Sequence, residues 1–173
     1  MIDWSNIFYF SVVSAGLVLS AMGLWFTAAM PGIDRWNRRF FLAYFSVLMA
    51  CCVSSLAELI LYAYPAPPAV IYFILFVECL FLSMPIPMLT VYLLHCCGED
   101  IRTSKLLRAV LGLWAAYFVL LACAPFIDVF AFAAADGYYT RGRLYPLLLL
   151  PMIAILLLNL VASIRRRVWL SHK

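Results

Sequence analysis

Five unbroken apolar runs, each long enough to cross the hydrocarbon core of a bilayer, constrain this chain more than any other feature. A helix needs about 20 apolar residues for that crossing. The runs occupy residues 7–30, 40–64, 69–97, 106–127 and 144–164. Pro31-Gly32 ends the first, Pro65-Ala66-Pro67-Pro68 the second and Gly98-Glu99-Asp100 the third, while Arg165-Arg166-Arg167 follows the fifth. Lipid offers the backbone no hydrogen bonds, so spanning segments are helices or closed barrels. None of the runs shows the alternation of period two that a barrel strand needs. The expected fold is therefore all-α, a single domain over residues 1–173 built as an integral membrane bundle of five transmembrane helices.

Composition agrees. Of the 173 residues 68% are apolar and 12% charged, where a soluble domain runs at about half and about a quarter. Too little polar surface remains to cover a core in water, so the lipid bilayer is the first partner. A soluble enzyme, a disordered tail and a disulfide-stapled secreted domain are excluded. The net charge of +4 does not point to nucleic acid, because the basic residues sit in short clusters between apolar runs and form no stripe interleaved with aromatics. Cys51, Cys52, Cys79, Cys96, Cys97 and Cys123 lie in or at the ends of apolar runs without zinc-ribbon spacing. They read as free thiols used as small apolar residues. In a eukaryote, the Cys96–Cys97 pair at a membrane edge would also fit lipidation. No metal site and no cofactor is expected.

The basic residues set the orientation. Arg35, Arg38, Arg39, Arg102, Lys105, Arg108, Arg165, Arg166, Arg167 and Lys173 fall on one side, and only Arg141 and Arg143 on the other. The richer side is expected to be cytoplasmic, which puts the N-terminus outside and the C-terminus inside a bacterial cytoplasmic membrane. Met1–Asn6 carries Asp3 and no base, so it is not read as a signal peptide. The longest loop, residues 128–143, contains Asp136-Gly137, a turn signal, then Tyr138, Tyr139, Arg141 and Arg143. It reads either as an interfacial anchor or as a lid over an outward-facing pocket.

No catalytic motif is present: there is no phosphate-binding glycine loop, no HExxH and no nucleophile elbow. His95 and His172 read as interfacial or solvated. The informative residues are Glu58 and Glu78, both inside apolar runs. An ionisable side chain at membrane depth costs several kcal/mol or more and is by default a candidate functional site. Glu58 lies seven residues before Pro65 and Glu78 ten after Pro68. At ~1.5 Å per residue they sit about 10 and about 15 Å below the outer edge of neighbouring antiparallel spans. Cys51, Ser55, Glu58 and Tyr62 follow at helical spacing and form a polar stripe. Glu78 has Ile74, Leu75, Phe81 and Leu82 as its helical neighbours, and desolvation there favours the neutral acid. No Lys or Arg lies deep in a span, so Arg141 or Arg143 from the outer loop are the only basic partners in reach. The expected ligand-binding set is Glu58, Glu78, Tyr62, Ser55, Arg141 and Arg143, suited to amines, metal ions or protons rather than anions. Interhelical hydrogen bonding by neutral glutamates and proton transfer are the other readings.

Two further features stand out. Pro85 and Pro87 in mid-span free backbone carbonyls and kink a helix, which fits either a hinge or static shape. Gly16, Ser20, Gly23 and Thr27 lie on one face of the first run, and small residues there let helices approach closely. That face packs either within the bundle or as a homodimer seam.

The Glu-bearing third run leading into Leu94-His95-Cys96-Cys97-Gly98-Glu99-Asp100, the outer Tyr138-Tyr139-Thr140-Arg141-Gly142-Arg143-Leu144-Tyr145-Pro146 segment and the Arg-rich exit together resemble the membrane-spanning N-terminal sensor regions of bacterial sensor histidine kinases of the Firmicutes type. The resemblance covers nearly the whole chain. It implies an input domain that relays an external or membrane signal to a cytoplasmic kinase module of a two-component system, in cis or in trans. The chain has no phosphoacceptor box and no ATP-binding glycine boxes, so it is not expected to be an enzyme by itself, and the output module would follow Lys173. A small transporter or transporter subunit working through Glu58 and Glu78 is the alternative.

Overall fold

A computed structural model describes residues 4–123, 131–133, 139–141 and 150–171. It is helical throughout except for one short strand pair. The elements are α1 (Trp4–Ala29), α2 (Arg35–Ala63), α3 (Pro68–Ser83), α4 (Pro85–Cys96), α5 (Lys105–Cys123), β1 (Ala131–Ala133), β2 (Tyr139–Arg141) and α6 (Leu150–Ser171). β1 and β2 pair with each other inside the loop where a turn was expected.

Among the described residues, four apolar segments are long enough to cross a membrane: Ile7–Ala29, Arg35–Leu61, Pro68–Cys96 and Lys105–Cys123. The fifth expected span, residues 144–164, begins outside the described residues, and its described apolar part is Leu150–Arg165. α6 runs on past residue 164 to Ser171. Hydropathy ends at Arg165 but helix propensity does not, because arginine is a good helix former.

Local chemistry places the ends. α2 starts five residues before its apolar run because Asp34 caps it, its carboxylate accepting from the backbone N–H of Trp36 at 3.1 Å and of Asn37 at 3.5 Å. Side-chain capping of this kind satisfies N–H groups that have no intrahelical partner. α4 ends in a Schellman motif: Gly98 has φ +66°, its N–H donates to the His95 carbonyl, and that of Glu99 donates to Leu94. Glycine suits this left-handed position because it has no Cβ. Ser104 caps α5 through the N–H of Leu107 at 3.5 Å.

Burial is inverted relative to a soluble protein. Phe8, Leu19, Trp25 and Phe73 are each about two-thirds exposed, whereas Glu58, Glu78, Ser55, Ser83 and Thr90 are buried. Such a surface suits lipid, where an outward apolar side chain costs nothing and a polar one must turn inward.

The chain divides into two compact units, Met1–Pro85 with Ala133–Thr140 and Ile86–Phe132 with Arg141–Lys173. In the first, α2 packs against both α1 and α3. Its apolar core includes Leu61, Ile71, Leu75 and Cys79. Trp36, Phe40 and Tyr44 stack at helical spacing near the start of α2, with ring centroids 5.5 and 5.9 Å apart. In the second, α5 packs against α6. Leu107, Val110, Tyr117 and Leu121 of α5 are buried, as are Met152 and Ile155 of α6.

Candidate functional site

In the first unit, three helices meet at one carboxyl oxygen. Glu78 of α3 is buried, and its Oε1 accepts from Ser55 Oγ of α2 at 3.0 Å and from Tyr9 OH of α1 at 3.4 Å. Ser55 reaches Glu78 because it lies on the face of α2 turned toward α3, which also carries Glu58 one turn further on. Glu58 has no exposed surface at all. Cys51, one turn before Ser55, is half-buried on the same stripe, and its carbonyl accepts from Ser54 Oγ at 2.8 Å. All six cysteines are free thiols.

A carboxyl oxygen accepts hydrogen bonds whether or not the group is ionised. Ionisation makes such bonds shorter and roughly twice as strong. The arrangement therefore ties α1, α2 and α3 together in either charge state, and the strength of the tie depends on that state. Among the described residues, no three His, Cys, Asp or Glu side chains are grouped so as to hold a metal ion.

The expected site residues fall into three groups. The structure joins Ser55 and Glu78 directly and buries Glu58, one turn from Ser55 on α2. Tyr62 belongs to α2 and Arg141 to β2, but their side chains lie outside the described set, as does Arg143 altogether. Tyr9 was not anticipated, since within Phe8-Tyr9-Phe10 it reads as one more interfacial aromatic.

Pro85 and Pro87 stand where α3 gives way to α4. Met84 between the helices keeps helical dihedrals, φ −62° and ψ −40°, and its N–H donates to Leu80 at 3.2 Å. Neither proline has an N–H, so the carbonyls of Phe81 and Ser83 lose their usual donors. The division between the two compact units falls between Pro85 and Ile86.

The small-residue face of α1 is turned to α2. A Cβ added at Gly23 would lie 2.5 Å from the Phe45 ring, and one at Gly16 3.1 Å from Cys52 Sγ. Ser20 and Thr27 are buried and donate back to the carbonyls of Gly16 and Gly23 at 2.8 and 2.7 Å. The face is thus packed against α2 within the unit.

The second unit holds a polar cluster that hydropathy gave no reason to single out. Thr90 of α4 has no exposed surface, and its Oγ1 donates to Asn159 Oδ1 of α6 at 2.8 Å. Asn159 Nδ2 donates to the Ile86 carbonyl at 3.5 Å.

No protein-family model matches the chain, nor does any characterised protein or solved structure. Any functional reading rests on these residues.

Proposed function

We propose that the chain is the membrane input domain of a bacterial signal-transduction protein of the histidine-kinase type. It lies in the cytoplasmic membrane with its N-terminus outside and relays an external cation or proton signal to a cytoplasmic module. The observation that carries this reading is the buried carboxyl of Glu78 with hydroxyl donors from two other helices. An ionisable group at such a junction converts a change of charge into a change in how strongly three helices are held. A protonated amine or a metal ion would stabilise the ionised form, and a proton the neutral one. Glu78 also lies on the apolar segment Pro68–Cys96, which in the proposed orientation ends on the cytoplasmic side. The sequence carries no evident inverted repeat of the kind common in transporters, which favours the sensor reading.

The test joins Lys173 to a histidine-kinase catalytic module and reconstitutes the fusion in liposomes. A step in external pH, or added methylamine, should change the autophosphorylation rate several-fold, and Glu78→Gln should remove the response. A silent kinase together with proton or amine flux that needs Glu58 and Glu78 would overturn the sensor reading in favour of a transporter.

A further inference from the structure

α6 has a sharply one-sided pattern. Met152 and Ile155 are buried, whereas Leu156, Leu157 and Leu160 are about half exposed. Asn159 follows Ile155 by four residues, so it belongs to the packed face; it shares that face with Ser163 one turn on, whose hydroxyl donates back to the Asn159 carbonyl at 2.8 Å. The Asn159 amide uses both ends on α4: Oδ1 takes the Thr90 hydroxyl and Nδ2 reaches the Ile86 carbonyl. Thr90 and Ile86 are themselves one turn apart on α4, so the amide spans a single turn of that helix.

Apolar side chains packed in lipid discriminate poorly between neighbouring rotations of a helix, because Leu, Ile and Val present similar surfaces and the alternative solvent is equally apolar. A lone amide on such a face discriminates strongly, since a rotation that turns it away from α4 takes it from both of its partners there. A single buried Asn fixes register in coiled coils for the same reason. We infer that Asn159 and Thr90 form a register lock that sets the rotation of α6 against α4, and so the direction in which α6 presents Arg165 and the residues after it. This goes beyond the proposed function: the lock is a property of the helix pair and needs neither a stimulus nor an output module.

The test is a nitroxide scan of α6 in lipid. Single cysteines are placed at residues 153, 154, 156–158 and 160–164 of the otherwise cysteine-free chain, and oxygen accessibility is read at each. The parent should show a periodic profile with its minimum on the Ile155–Asn159 face. Asn159→Leu should shift that minimum by at least one position, about 100° of rotation, or flatten the profile. Thr90→Val should do the same to a lesser extent, and Thr90→Ser, which keeps the hydroxyl, should restore the parent profile. Ile155→Val trims the same face without touching the amide, so it should lower thermal stability and leave the phase unmoved. An unshifted, undamped profile in both Asn159→Leu and Thr90→Val would overturn the lock, as would an equal shift in Ile155→Val. If Asn159→Leu does not fold, the Thr90→Val and Thr90→Ser pair decides.

Discussion

Each compact unit holds a polar joint among apolar side chains, and these two joints differ in kind. In the first, Tyr9 and Ser55 donate to a carboxyl that can gain or lose a charge. In the second, Thr90, Asn159 and the Ile86 carbonyl form a joint with no titratable group. The first joint can therefore change strength with its surroundings, and the second cannot. Under the proposed function, the variable tie would serve where a stimulus acts and the fixed one would hold a helix in place. Two helical glycines differ as well. Gly23 is pressed against Phe45, while Gly112 of α5 has nothing within 4 Å of where a Cβ would stand.

The largest expected effect tests whether both units cross the bilayer in the proposed sense. Single cysteines at Asn37 of the first unit and Thr103 of the second, in a cysteine-free background, should be protected from an impermeant thiol reagent in intact cells. One at Ala134 should label. The outcome is all-or-none, and labelling at either Asn37 or Thr103 alone would break the comparison, because one unit would then be inverted.

Next in size is the glycine contrast. Gly23→Leu drives a side chain into the Phe45 ring and should cost about 3 kcal/mol, the upper part of the usual overpacking range. Gly112→Ala should be neutral or stabilising by up to about 1 kcal/mol, the helix-propensity difference between the two residues. Thermal unfolding in detergent micelles measures both. Equal losses would mean that the α1–α2 seam is no tighter than the surroundings of Gly112.

How much of this was legible in the sequence depends on the kind of signal. Four of the five spans follow from hydropathy alone, because the bilayer demands length and apolarity and little else. Glu58 and Glu78 were legible because a charge at membrane depth is costly wherever it lies. Ser55 was legible because helical spacing puts it beside Glu58. Tyr9 was not, since its role depends on the rotation of α1, which hydropathy does not encode. Depth alone would have allowed it: Tyr9 lies five residues into α1, about 8 Å, and a tyrosine side chain reaches further still. Thr90 and Asn159 were missed for a different reason. Neutral polar residues cost little in a span, so they leave no mark until two helices are placed side by side. Pro85 and Pro87 marked the interruption of the third span correctly, but sequence could not say that the division of the chain into two units falls there.

Replacing the acid should have the next effect. Glu78→Gln keeps a carbonyl oxygen for both hydroxyls and should cost about 1 kcal/mol or less. Glu78→Leu leaves the Tyr9 and Ser55 hydroxyls facing an alkyl chain and should cost about 1–3 kcal/mol, the penalty for buried donors deprived of their acceptor. A Gln variant as unstable as the Leu variant would mean that the charge, and not the hydrogen-bonding geometry, holds the three helices together.

The smallest effect separates the two joints most cleanly. Double-mutant cycles isolate a pairwise term when each single change removes the contact without creating a new one. The cycle Thr90→Val with Asn159→Leu should give a coupling of about 0.6 kcal/mol, the average for interhelical hydrogen bonds in a membrane protein, and no more than about 1.7. Both partners are neutral at every accessible pH, so this value should be flat from about pH 5 to about pH 8, the range in which histidine-like switches operate. The matching cycle, Ser55→Ala with Glu78→Gln, compares a neutral amide with whatever charge state the carboxyl adopts. Its coupling should be larger wherever the carboxyl is ionised, since a hydroxyl donates about twice as strongly to a charged oxygen as to a neutral one. Unfolding in micelles buffered across that range measures both cycles in one experiment. Two flat profiles would make the acid as inert as the amide within that range, and the distinction between a responsive joint and a fixed one would be lost. A flat profile for Thr90–Asn159 beside a sloping one for Ser55–Glu78 is what that distinction requires.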